Sequence, residues 1–230
     1  MTKVDIGNLE QLLDTLNHAH IETESASSEE LETPFPILPQ EFLRFAEADL
    51  ESELAHRNIN ALANTKRALD CQIACVLATF GLDKIAQQEF WGVPKKLEVV
   101  RELGIKAPRI FDKINRMRNR LEHEFEDPDL ETVTDALDTV KIFIAYTDNV
   151  FRHFQSGLIF LVGDNSDDTD AQELGLQFDI GKKVLVITHR NALPTPKDIH
   201  NINDLYDSVA LEPENALFLG FLERLINIRF

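Results

Sequence analysis

The chain has 230 residues, 40 of them acidic and 23 basic, for a net charge of −17. A chain of this length buries about 70% of its unfolded surface without stapling, and its charge excludes a whole-chain electrostatic grip on nucleic acid or an anionic membrane, so any such grip must be local. Its two cysteines, Cys71 and Cys75, stand one helical turn apart, which excludes a disulfide scaffold and points to a reducing compartment. Over residues 1–20, Val4, Ile6, Leu9, Leu12, Leu13 and Leu16 recur at three and four, predicting an accessory amphipathic helix. That start has no basic run followed by an apolar one, and no apolar stretch is long enough for a bilayer, so a soluble, cytoplasmic protein is expected.

Residues 21–40 combine five glutamates, three serines and three prolines, a composition that predicts an acidic, proline-bearing linker. From Glu41 to Gly81 no proline or glycine interrupts a pattern running from Phe42 to Phe80, which predicts some forty residues of helix, bent once. The segment KKLEVVRELG gives a short helix stopped at Gly104, and Pro108 opens the next. This helix ends at EDPD, where Asp127 is expected to cap a last long helix through Tyr146. Residues 41–154 thus read as a helical bundle.

Past residue 154 the texture changes. GLIFLVGD and ELGLQFDIGKKVLVITH predict three short strands with a hairpin at Gly181, followed by a helix in EPENALFLGFLERLINI that covers the strands. The acidic run DNSDDTD lacks the glycine and glutamate of an EF-hand loop and reads as a solvated turn. The predicted class is mainly α: a four-helix-bundle-like domain with an N-terminal accessory helix and a small C-terminal α+β appendage over residues 155–230.

Charge is concentrated. Between Lys95 and Arg120 nine basic residues meet three acidic ones, +6, leaving −23 for the remainder. On the helix RIFDKINRMRNRLEHEF, Ile110, Ile114, Met117, Leu121 and Phe125 form one apolar stripe flanked by Arg109, Lys113, Arg116 and Arg120. Opposite the stripe lie Arg118, Asn119, Glu122 and His123, with Arg118 and His123 at the edges of an arc of about 140°. A joint site of those two therefore needs a kink, or a second copy brought across a two-fold axis. Histidine exchanges protons near neutral pH and a guanidinium holds two phosphate oxygens, so these residue types suit phosphoryl chemistry. The plainer reading is a solvated face whose arginines pair with nearby carboxylates. Asp70, a polar residue within the first long helix, reads as solvent-exposed, though it could face the site; the two cysteines read as core thiols.

The run Arg118-Asn119-Arg120-Leu121-Glu122-His123 resembles the signature of HEPN domains: an arginine, usually an asparagine after it, and a histidine five positions on, near the end of a bundle helix. The resemblance covers residues 41–154. It implies a metal-independent endoribonuclease working as a homodimer, often in toxin–antitoxin or defence systems and sometimes with a protein antitoxin or other regulator. Arg118 would bind the scissile phosphate, His123 transfer the proton and Asn119 orient, while Arg109, Lys113, Arg116 and Arg120 hold the RNA. No metal or other cofactor is implied. Where family toxins often carry a tyrosine two places after the histidine, this chain has Phe125, and Glu122 is unexpected beside His123. A non-catalytic interaction module, or one that binds nucleotides or RNA without cutting, is the alternative.

Overall fold

The computed structural model describes residues 8–18, 22–162, 172–190 and 207–227. Its elements are α1 (Leu9–His18), β1 (Glu22–Glu29), α2 (Pro39–Glu51), α3 (Arg57–Thr79), α4 (Asp83–Gln88), α5 (Val93–Glu102), α6 (Ile110–Glu124), α7 (Leu130–Arg152), β2 (Phe154–Val162), β3 (Gln172–Asp179), β4 (Val184–Arg190), β5 (Asp207–Leu211) and α8 (Phe218–Asn227). The chain divides into two units, one of Leu31–Arg152 and one of Met1–Glu30 with His153–Phe230. Among the described residues no helix is long and apolar enough to cross a membrane.

The expected mainly α architecture is overturned. Among the described residues there are eight helices and a five-stranded antiparallel sheet ordered β1-β2-β3-β4-β5, so the chain is mixed α/β and the β part is no small appendage. The stretch read as a linker supplies β1, which pairs antiparallel with β2 from Glu22↔Leu161 to Glu29↔Phe154. With ETESASSE offering no apolar side chain to bury beyond Ala26, its place in the fold comes from backbone pairing at a sheet edge, where charged residues also deter further strands. The DNSDDTD turn lies outside the described residues.

In the sheet unit, period-two alternation sends Leu158, Phe160, Leu174, Leu176, Phe178, Leu185 and Ile187 to one buried face. The expected hairpin at Gly181 joins β3 to β4, its turn held by Lys182 N–H donating to Asp179 Oδ1 at 2.9 Å. Helix α8 covers the strands as its spacing indicated, burying Phe218, Phe221, Leu222 and Leu225 and setting Phe218 edge-on to Phe178 at 6.4 Å. Gly220 lets α1 approach closely, since a Cβ there would meet the Leu13 side chain at 2.6 Å.

In the helical unit, α3 is the central element, and it buries Ala61, Leu62, Ala68, Leu69, Ile73, Val76 and Leu77 around much of its circumference. The predicted forty-residue helix is two helices broken at Ser52, where the hydroxyl and the backbone N–H both turn back to Asp49 O. A serine bonding its own helix's carbonyl competes with the next turn, which ends α2 without glycine or proline. Across α2 and α7, Gln40 Nε2 donates to Asp148 Oδ2 at 2.6 Å and Lys141 pairs with Glu47 at 2.7 Å. Inside, Gln72 Nε2 donates to Thr147 Oγ1 at 2.6 Å.

Both cysteines lie on α3, Cys75 buried and Cys71 half-buried with its thiol donating to Ile37 O at 3.5 Å. Burial raises both thiols, Cys75 to about 12. A group held above its ordinary 9.0 in the folded state favours folding below that pH and loses the contribution as pH climbs towards 12. The urea midpoint is therefore expected to fall as pH rises above 9.0, and to fall less steeply in Cys75→Ala. An equal slope in the two proteins would refute the assignment.

Candidate functional site

Helix α6 carries the motif. Gly104, with a left-handed φ of 73°, stops α5, and Pro108 precedes the new helix, whose first turn starts at Ile110. Phe111, Ile114 and Met117 are buried, and Phe111 meets Phe143 of α7 edge-on at 4.8 Å. Towards the other end, Met117 packs with Ala61 and Leu62 of α3 and Val133 of α7, with Leu50 and Leu121 against that cluster. Of the stripe read from the sequence, Ile114 and Met117 are buried and Ile110 and Leu121 partly so, whereas its last member, Phe125, is 86% exposed; Phe111, outside the stripe, is fully buried.

The expected Asp127 cap is instead Asp129. Its Oδ1 accepts from Thr132 N–H at 2.8 Å and its Oδ2 from Thr132 Oγ1 at 2.6 Å, and these bonds hold its carboxyl below the usual carboxylate range. Asn58 Nδ2, at the start of α3, donates to Pro128 O at 3.0 Å and so pins the α6–α7 turn. Nothing in the sequence marked Asn58, because it is 70 residues away from the carbonyl that it holds.

The motif side chains face outwards, with Asn119 and His123 exposed and Arg118 half-exposed. Arg118 is in an ion pair with Glu122, one turn on, and Arg120 pairs with Glu126 at 3.0 Å. Arg101 of α5 pairs with Asp112 at 3.4 Å and donates to Ala107 O at 2.9 Å, which ties the α5–α6 connection to α6. Arg109, Lys113 and Arg116 are exposed and make no ion pair among the described residues. The structure thus sorts the cations into three without an ion pair among the described residues, along the first turns of α6, and two held by glutamates near its end.

Helix α6 is unbroken from Ile110 to Glu124, so it contains no kink that would turn Arg118 and His123 towards each other. They remain about 140° apart around the axis and about 7.5 Å apart along it. Asp70 is exposed and its carboxylate is taken by Lys66. Among the described residues, no three of His, Cys, Asp and Glu come together as a metal ligand set. Chemically, the arrangement offers an accessible imidazole, a guanidinium whose present partner is exchangeable, and an amide between them on one rigid helix. Comparison with family models, with curated proteins and with solved structures gives no match.

Proposed function

We propose that the chain is a metal-independent endoribonuclease of the HEPN type, acting in the cytoplasm as a homodimer, of the kind found in toxin and defence systems. The observation that carries the reading is the outward, uncovered placement of Arg118, Asn119 and His123 at the end of a helix whose opposite face is anchored in the core. In this reaction His123 takes the proton of a ribose 2′-hydroxyl, and the 2′-oxygen attacks the adjacent phosphorus. The bond to the 5′-oxygen breaks, and that oxygen takes a proton from solvent water as it leaves, while the proton held by His123 returns to solvent. Arg118 holds the non-bridging oxygens as charge builds, and Asn119 orients the phosphate or the imidazole. Because one continuous helix keeps Arg118 and His123 apart, the arginine of one copy serves the histidine of the other. Arg109, Lys113 and Arg116 follow the strand's phosphates.

A second reading, a module that binds RNA, a nucleotide or a protein without cutting, is favoured by one observation: Glu122 already occupies the Arg118 guanidinium. An exposed pair of this kind contributes only about 0–1 kcal/mol, so a phosphate can displace the carboxylate. The deciding experiment is incubation of the full chain with single-stranded and structured RNAs in EDTA, followed by analysis of the product ends. Fragments ending in 2′,3′-cyclic phosphate and 5′-hydroxyl support cleavage by this route. Binding with no fragments at all supports the second reading.

A further inference from the structure

Phe125 is in an unfavourable position on two counts. Its backbone is left-handed (φ 57°, ψ 31°), a conformation that helix ends usually give to glycine or asparagine, and its ring is 86% exposed where a buried phenyl would be expected. Glycine at this position would remove both costs. Bulky residues held in strained backbone cluster at functional sites, and this one stands two positions beyond His123, at the end of the helix that carries Arg118 and Asn119.

We propose that Phe125 is a base-stacking platform, and that the RNA taken by the Arg118–Asn119–His123 face is single-stranded, with the base beside the scissile phosphate laid on the phenyl ring. This rests on the endoribonuclease reading given above. Attack by a 2′-oxygen in line with the leaving 5′-oxygen requires a nucleotide turned out of regular stacking, and an exposed aromatic ring offers that base a new partner whatever its identity. Towards the other end of α6, about 13–24 Å along the axis from Phe125, Arg109, Lys113 and Arg116 make no ion pair among the described residues and can take phosphates further along the same strand. Close to Phe125 itself the chain is acidic: Glu126 is paired with Arg120, Glu122 is released once Arg118 takes the phosphate, and Glu124, Asp127 and Asp129 make no ion pair among the described residues, so there the ring and not charge must hold the base.

Phe90 supplies a matched control. It too is left-handed (φ 54°) and 91% exposed, but it follows α4 and is flanked by Glu89, which accepts from Trp91 Nε1 at 2.7 Å. It lies outside the motif helix.

The test uses the full chain in a His123→Ala background, so that RNA stays intact, with fluorescein-labelled single-stranded octaribonucleotides, the same oligomers carrying an abasic nucleotide, and a duplex. Phe125→Tyr should bind single strands within about twofold of the parent, whereas Phe125→Leu and Phe125→Gly should each bind about tenfold more weakly. Phe90→Gly should bind as the parent does. Both glycine variants should melt about 2–4 °C higher, because the left-handed strain is relieved; weaker binding by a more stable protein cannot be misfolding. Abasic oligomers should be insensitive to Phe125. Equal binding by Phe125→Gly and the parent overturns the platform while leaving the nuclease reading intact. So does a loss of binding that tracks dissociation of a dimer in sedimentation, which would make the ring a subunit anchor. No binding of any RNA by the parent overturns both.

Discussion

His123→Ala is expected to cut metal-free RNA cleavage at least about a hundredfold while leaving the melting temperature unchanged, since positioned proton transfer contributes roughly that factor or more. The side chain is exposed and no buried contact depends on it, so a loss of rate cannot be ascribed to a loss of fold. Arg118→Ala should produce a comparable loss, with one difference: it also frees Glu122, leaving an uncompensated carboxylate where the phosphate must sit. Arg118→Lys should rescue little, because an ammonium does not reproduce the two-pronged hold of a guanidinium. Retention of full cleavage by His123→Ala would remove the imidazole from the mechanism.

The largest effect on stability is expected from Phe111→Ala. Phe111 is fully buried, lies on the first turn of α6 and packs edge-on to Phe143, so truncation removes its burial and leaves a cavity between α6 and α7. Substitutions of this kind cost about 3–5 kcal/mol. In an equilibrium denaturation experiment this should appear as a fall in midpoint with the slope retained. A loss below about 1 kcal/mol would mean that α6 is not anchored at its start, and with it would go the rigid presentation of the motif.

The parts legible in the sequence are those with a periodic apolar signal. The stripe of Ile114, Met117 and Leu121 located the inner face of α6, and the alternation around Leu174–Phe178 and Leu185–Ile187 located two strands and their hairpin. Elements without such a signal are not legible in the sequence. β1 is almost wholly polar and is held by hydrogen bonds to β2, and the break at Ser52 depends on bonds from its hydroxyl and its backbone N–H to Asp49 O rather than on glycine or proline. The short helix α4 spans too few residues to show a period, and Asp129 rather than Asp127 caps α7. At the site, spacing placed Arg118 and His123 on different sides of the helix, and the unbroken α6 leaves them there. Spacing could not show that Glu126, beyond the helix end, returns to Arg120, nor that Phe125 leaves the apolar stripe for solvent.

A shared site requires Arg118 of one copy to cooperate with His123 of another. Arg118→Ala and His123→Ala proteins, each inactive alone, should be mixed, allowed to exchange subunits and assayed on single-stranded RNA in EDTA. Random pairing gives mixed dimers carrying one intact site, so activity should return to about a quarter of the wild-type level. A mixture as inactive as its two components would contradict a site shared between copies.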